Sequence, residues 1–167
     1  MKKTFPNSLL IFALMLVLAT SVQAASVKNQ RLSAVILASA QALADDGDYQ
    51  GADRLLTQSM LADPANDAAF ALKGRVQILL DNPKEGRRLL DLALDIRPDN
   101  QQAVLWAGQA SVSLEDFEDA QSRAERLQQL CGACDVHTSL VADIAAAKKA
   151  LGSEDGPTAE DEGKEGQ

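Results

Sequence analysis

The chain has 167 residues, of which 46% are apolar and only 4% aromatic, and its net charge is −8. That length favours a single domain, and a composition dominated by Ala and Leu favours closely packed helices. The acidic balance, with no cluster of Lys or Arg, excludes a nucleic-acid partner, because phosphate binding needs such clusters.

Residues 1–24 read as a signal peptide rather than as part of the fold. Lys2 and Lys3 give a positive start, residues 9–19 form an apolar run too short to span a bilayer comfortably, and Val22-Gln23-Ala24 has the form of a cleavage site. The mature chain is expected to start at Ala25. Without Lys2 and Lys3, the remaining 14 basic residues face 24 acidic ones, a net charge of −10. A retained anchor is the competing reading, disfavoured because polar residues begin at Thr20. No cysteine lies near the cut to carry a lipid. The expected compartment is extracytoplasmic and oxidising, read as a bacterial periplasm or secretion.

After a polar lead-in over 25–32, helical periodicity predicts a first helix over 30–44, with Leu32, Val35, Ile36, Ser39, Ala40 and Leu43 as its buried stripe. Asp45-Asp46-Gly47 breaks it. A second helix is predicted over 49–62, ended by Asp63-Pro64, since the residue before proline avoids the α region. The next helices are predicted over 67–80, 83–96, 101–113 and 116–130. A last helix starts at Asp135 or Thr138 and reaches Leu151, with Leu140, Ile144, Ala147 and Leu151 on one stripe. From Gly152 the chain is acidic and aperiodic, and is expected to be a disordered, solubilising tail.

These elements repeat every 34 residues. Asp48, Asn82 and Asp116 stand in register as helix caps, Asn82 with Pro83 behind it and Glu85 placed for a capping box. Tyr49, Pro83 and Phe117 follow in register, then Ala52, Gly86 and Ala120. Upstream, Ala40, Gly74 and Gly108 are again small, and Pro64 and Pro98 close two units. A 34-residue period with small residues and closing prolines in this order resembles the tetratricopeptide repeat (TPR) family over residues 33–134. The family's early Trp is replaced by Ile36, Phe70 and Val104, and its first-helix Tyr by Leu43, Gln77 and Ser111.

The resemblance implies an all-α, right-handed solenoid of three helix pairs at 33–66, 67–100 and 101–134, a capping helix over 135–151 and a tail over 152–167. No pair buries its apolar face alone, so one continuous core is expected. It also implies a concave groove, lined by the first helix of each pair, that accepts a protein or peptide. Carried over, its lining is Leu37 and Gln41 from unit one, Ala71, Arg75 and Ile78 from unit two, and Gln102, Leu105, Gln109 and Val112 from unit three. Gln41, Arg75 and Gln109 are 34 apart and are expected to form a polar row, with Arg75 placed to fork onto a carboxylate. The family's two-lysine carboxylate clamp is not reproduced. Trp106 falls beside the main core stripe, where interface and packing roles are both open.

The chemical suspect is Cys131-Gly132-Ala133-Cys134. Haem c attachment wants His directly after the second Cys, and Asp135 stands there. A zinc site built from Cys131, Cys134 and His137, with Asp135, is an incomplete tetrahedral set. A thiol–disulfide active pair is the alternative function, but such motifs open a helix after a strand. An even cysteine pair in an exported protein is expected as a disulfide that fixes the turn before the last helix. With no other catalytic motif, the expected protein is non-enzymatic, has no cofactor or metal, and acts as a periplasmic adaptor in an envelope-associated assembly. Self-association of the stack is a third reading.

Overall fold

A computed structural model describes the backbone of residues 7–154 and the side chains of residues 26–152. The signal segment therefore falls partly or wholly outside the described residues, as does the tail from 155 onward. Among the described residues seven helices follow one another: α1 (Asn7–Asp45), α2 (Tyr49–Ala62), α3 (Asp67–Leu79), α4 (Pro83–Ile96), α5 (Gln101–Ser113), α6 (Phe117–Cys131) and α7 (Asp135–Glu154). The expected lead-in over 25–32 is instead helical and part of α1, and α7 runs past Leu151. Among the described residues no strand occurs, and no helix is long and apolar enough to cross a membrane.

Each helix pair is joined by the same turn. Backbone N–H groups of Asp48, Asn82 and Asp116 reach back to the carbonyls of Leu43, Gln77 and Ser111 at 2.8, 2.9 and 2.9 Å. The residue before each has positive φ: Gly47 at 83°, Asp81 at 62° and Glu115 at 59°. This is the Schellman ending, in which a left-handed residue lets the next N–H satisfy an orphan carbonyl. The residue that closes one helix then starts the next. Asp48 accepts from the Gly51 N–H at 2.8 Å and Asp116 from the Asp119 N–H at 3.2 Å. Asn82 departs from the expected capping box. Its amide donates to the Leu80 carbonyl, and Glu85 binds Arg88 instead of reaching back. Pro83 already removes one of the N–H groups a cap would satisfy.

The junctions between pairs use a different device. Asn66 and Asn100, 34 apart, cap α3 and α5 by accepting from Ala69 and Ala103 N–H groups. Their amide nitrogens then donate to Ser33, within α1, and to buried Asp67, the first residue of α3. Each Asn clasps its own helix to the one a repeat earlier. Ser33 and Ser59 also bond to each other in the buried interface of α1 and α2.

The backbones of α1, α3, α5 and α7 approach one another in succession, whereas those of α2, α4 and α6 stand farther apart, α4 and α6 being bridged by side chains such as Asp91 and Arg123. The stack therefore curves with the odd-numbered helices on its concave side. The tightest pair is α3 with α4: a Cβ on Gly86 would lie 2.8 Å from the Gly74 carbonyl oxygen and 2.6 Å from Ile78 Cγ1. The expected single core is divided. One cluster holds Ala40, Ala52, Leu56, Leu72 and Val76. The other runs from Ala71 through Leu90, Val104 and Leu127 to Leu140 and Ile144. They meet at α3, where Ala71 belongs to one and Leu72 to the other.

The expected stripe of α1 is also corrected. Leu32 is 51% and Val35 67% exposed, and Ser39 is exposed; Ala40 is buried and Ile36 and Leu43 are partly so, as expected, while Ser33 is buried and Leu37 partly so without having been assigned inward. As the first helix of the stack, α1 has described neighbours only in α2 and α3, so only the face toward them is covered.

Candidate functional site

The concave face is built by α1, α3, α5 and α7, so side chains 34 apart form rows across it. The first row is Ala34, Ala68 and Gln102; the next is Ala38, Leu72 and Trp106. Between them the helices leave an open cleft of about 440 Å3. It exists because Ala34, Ala38, Ala68 and Ala71 are too small to fill the space between three helices. Leu37 and Leu72 supply further apolar wall, Trp106 closes the α5 side, and Gln41, Asn100 and Gln102 supply the polar edge. None of the lining residues is charged.

Four of the sequence-predicted residues meet in this cleft: Leu37, Gln41, Ala71 and Gln102. Gln109 and Val112 lie elsewhere, beside α7, in a shallower depression of about 290 Å3 with Ser113, Asp143 and Ala146. Leu105 is only 7% exposed and belongs to the core rather than the groove. Ile78 is packed against the core, over Gly86 on α4, so it too leaves the groove list. Trp106 is the lining residue that sequence reasoning placed beside the core stripe without assigning it. Its register with Ala38 and Leu72 was the available signal.

The polar row forms differently from its expectation. Arg75 Nη1 donates to Gln109 Oε1 at 3.3 Å, and Gln109 Nε2 donates to Asp143 Oδ2 at 2.7 Å. Asp143 lies a further 34 residues on, so α7 continues the row as the first helix of a fourth, unpaired unit. Gln41 stands apart: its amide donates to Asp45 on its own helix at 2.8 Å. Arg75, half-buried, is thus linked through an amide to a carboxylate rather than left open to fork onto one. Among the described residues it forms no ion pair.

A larger depression, about 590 Å3, lies on the convex side between α4 and α6. Three of its lining charges are engaged with one another. Arg123 pairs with Asp91 at 2.9 Å and with Asp119 at 3.2 Å, and Arg126 donates to the Pro98 carbonyl. Burial pushes the Arg123 guanidinium down, but Asp91 and Asp119 outweigh it and hold the pKa above its ordinary value. Nearby, the Asp119 N–H, and then Arg87 of α4, hold the Asp116 carboxyl below its usual range. The Arg88 side chain does the same for Glu85. This seam ties α4 to α6.

Cys131 and Cys134 come to disulfide distance, with Cα atoms 5.7 Å apart. Cys131 is the last residue of α6, the negative end of a helix dipole, where a nucleophilic thiolate is disfavoured. Cys134 sits just before α7 and in register with Asn66 and Asn100. It stands where those two residues clasp their junctions. His137 Nδ1 is buried without a hydrogen-bond partner. No group of three or more His, Cys, Asp or Glu side chains among the described residues is arranged to hold a metal.

No family model matches the chain, and no curated protein matches it. Solved structures do match in fold. The first TPR domain of the human RPAP3 protein aligns with a TM-score of 0.68 and 20% identity, covering 74% of this chain and 98% of that one. The Sgt2 TPR domain from Aspergillus fumigatus aligns with a TM-score of 0.67 and 18% identity, covering 80% and 91%. The first TPR of Spaghetti (RPAP3), bound to the HSP90 peptide SRMEEVD, gives 0.65 and 21%, covering 72% and 93%. The chain has the tetratricopeptide repeat fold. The TPR arrangement accounts for the inner row of first helices and for the small residues at each close approach. It places α7 where the first helix of a fourth pair stands.

Proposed function

We propose that this TPR protein is a non-enzymatic adaptor that holds a protein or peptide segment in its concave groove. One observation carries the reading: the open, uncharged cleft between α1, α3 and α5, where four of the expected lining residues converge around Trp106. An apolar cleft edged by a few amides is the usual build of a binding site. A solved TPR domain of similar fold holds a peptide. The paired charges of the convex seam, and Cys131 at a helix end, support a binding role over a chemical one.

The adaptor works outside the cytoplasm, in an envelope-associated assembly, after residues 1–24 are removed. Cys131 and Cys134 are oxidised there and take over the clasp that Asn66 and Asn100 supply at the earlier junctions. A photo-crosslinking residue at Gln102, in chain expressed with its own leader, tests both parts. The expected result is a crosslinked partner that disappears with Ala38→Phe, and a processed chain starting at Ala25 by mass spectrometry. Crosslinking that is unchanged by Ala38→Phe sinks the groove; an intact leader in an active protein sinks the export reading.

A further inference from the structure

Resting on the groove reading above, we infer that the α1–α3–α5 cleft takes a bulky apolar side chain from an extended segment without acidic neighbours, and that the groove does not take a carboxylate. The two halves of the inference come from different observations.

The first concerns shape. Along the row Ala38, Leu72, Trp106 and Leu140, the later positions fill their space. Leu140 is fully buried and lies against Gly108, where an added Cβ would come 2.4 Å from its Cδ2. Ala38 leaves its place empty, and exposed Ala34 and Ala68 widen the gap. An apolar cleft left open forfeits the dispersion contacts that a close-packed interior makes. At about 440 Å3 it falls in the range of ligand pockets, roughly 300–1,000 Å3. Its walls offer Leu37, Leu72 and the partly buried Trp106 ring to an apolar or aromatic group. On the rim, Gln102 makes no side-chain hydrogen bond among the described residues. Its amide, both donor and acceptor, suits a peptide backbone.

The second concerns charge. A carboxylate needs paired or bidentate cations to repay its desolvation. The cleft lining contributes none. Arg75 donates one N–H to Gln109, and Gln109 donates to Asp143, so a carboxylate approaching Arg75 would meet a carboxylate already in the same row. Arg31, one turn before Ala34 on the same face of α1, lies outside the lining. A net charge of −8 adds a field that repels acidic segments and draws neutral or basic ones.

Trp106 is the only tryptophan in the chain, so its emission reports on the cleft without a label. The test is a random peptide display library selected on the full chain, with Ala38→Phe as counter-selection. Synthetic peptides of the enriched sequence and of SRMEEVD are then titrated by Trp106 fluorescence. The expected outcome is a fixed Leu, Phe or Trp with Asp and Glu depleted around it. The enriched peptide should saturate a shift in Trp106 emission, and its affinity should fall at least tenfold with Ala38→Phe at unchanged helicity. SRMEEVD should bind at least tenfold more weakly. Gln102→Ala, an exposed change, serves if Ala38→Phe perturbs the fold, and is expected to weaken binding severalfold. Enrichment of acidic or C-terminal carboxylate sequences whose binding is lost with Arg75→Gln overturns the pocket assignment and leaves the groove standing. Apolar sequences indifferent to both cleft variants overturn the assignment too. No enrichment at all overturns the groove and the pocket together.

Discussion

The two halves of the concave face are cut from one 34-residue template and end up opposite in character. Between α1, α3 and α5 the rows carry alanines, and an uncharged cleft stays open. Between α3, α5 and α7 the same rows carry Leu140 and the Arg75–Gln109–Asp143 chain, which leave a smaller and more polar depression of about 290 Å3. The 34-residue period is the same in both. What differs is side-chain volume at one or two register positions, so a repeat scaffold passes from an open cleft to a capped end along one face.

The severest way to break this contrast is Leu140→Ala. Leu140 is fully buried over Gly108 and joins α7 to the larger core cluster. Deletion of such a side chain costs about 2–5 kcal/mol, read as a drop in urea midpoint. Little collapse is expected, because Gly108 has no side chain to move in, and α7 should become the first site of proteolysis. Unchanged stability would mean that α7 is not a structural part of the closed half.

Next comes the cysteine pair. Replacing Cys131 and Cys134 with Ser should lower stability by about 2 kcal/mol on the chain-entropy account of a very short loop, with peptide binding in the distant cleft unaffected. Complete loss of activity with the fold intact would replace the structural role with a chemical one.

How much of this was legible beforehand divides along the same line. The helices could be read because each boundary has a local chemical cause, such as Asp63-Pro64 or the Asp116 cap. Residues facing a neighbour on both sides, such as Ala52, Gly86 and Leu90, could also be read. The stripe of α1 was misread because amphipathicity does not say which flank an end helix leaves uncovered, so Leu32 and Val35 were assigned inward. Asn82 was misread because a cap is decided by a rotamer, and its amide turned to Leu80. The polar row was half legible: the period named Arg75 and Gln109. Treating α7 as a separate cap hid Asp143, which stands 34 residues after Gln109 and is its partner. Leu105 and Ile78 were assigned to the groove because helical spacing alone does not separate a concave face from the core flank beside it.

Acid should loosen the junction of α4 with α6 through Asp116, and the first turn of α4 through Glu85, whose partner Arg88 is on its own helix. The carboxyls of Asp116 and Glu85 are both held below their ordinary values of 3.8 and 4.5 in the folded chain. A depressed folded pKa contributes stability that is complete above the unfolded value and is lost as pH falls through the folded one. The urea midpoint should therefore be flat near neutrality and decline below about pH 4.5. Arg87→Gln should flatten part of that decline by removing the partner of Asp116. A decline of unchanged steepness in the variant would move the acid-sensitive contacts elsewhere.

The smallest expected effect lies in the turns. In the turn after α1, Gly47 takes its φ of 83° without steric cost, whereas Asp81 and Glu115 hold φ of 62° and 59° with a Cβ in place. Asp tolerates the left-handed region better than Glu, since its short side chain bonds locally. Glu115→Gly should relieve more strain than Asp81→Gly, though glycine returns part of the gain as entropy of the unfolded chain. A net stabilisation of about 0.5–1 kcal/mol is expected at 115 and less at 81. Both should appear as small rises in melting temperature with peptide affinity unchanged. A destabilised Glu115→Gly would show that the Glu115 side chain makes a contribution larger than the backbone strain it carries, and that the turns of the two halves are less alike than their hydrogen bonds.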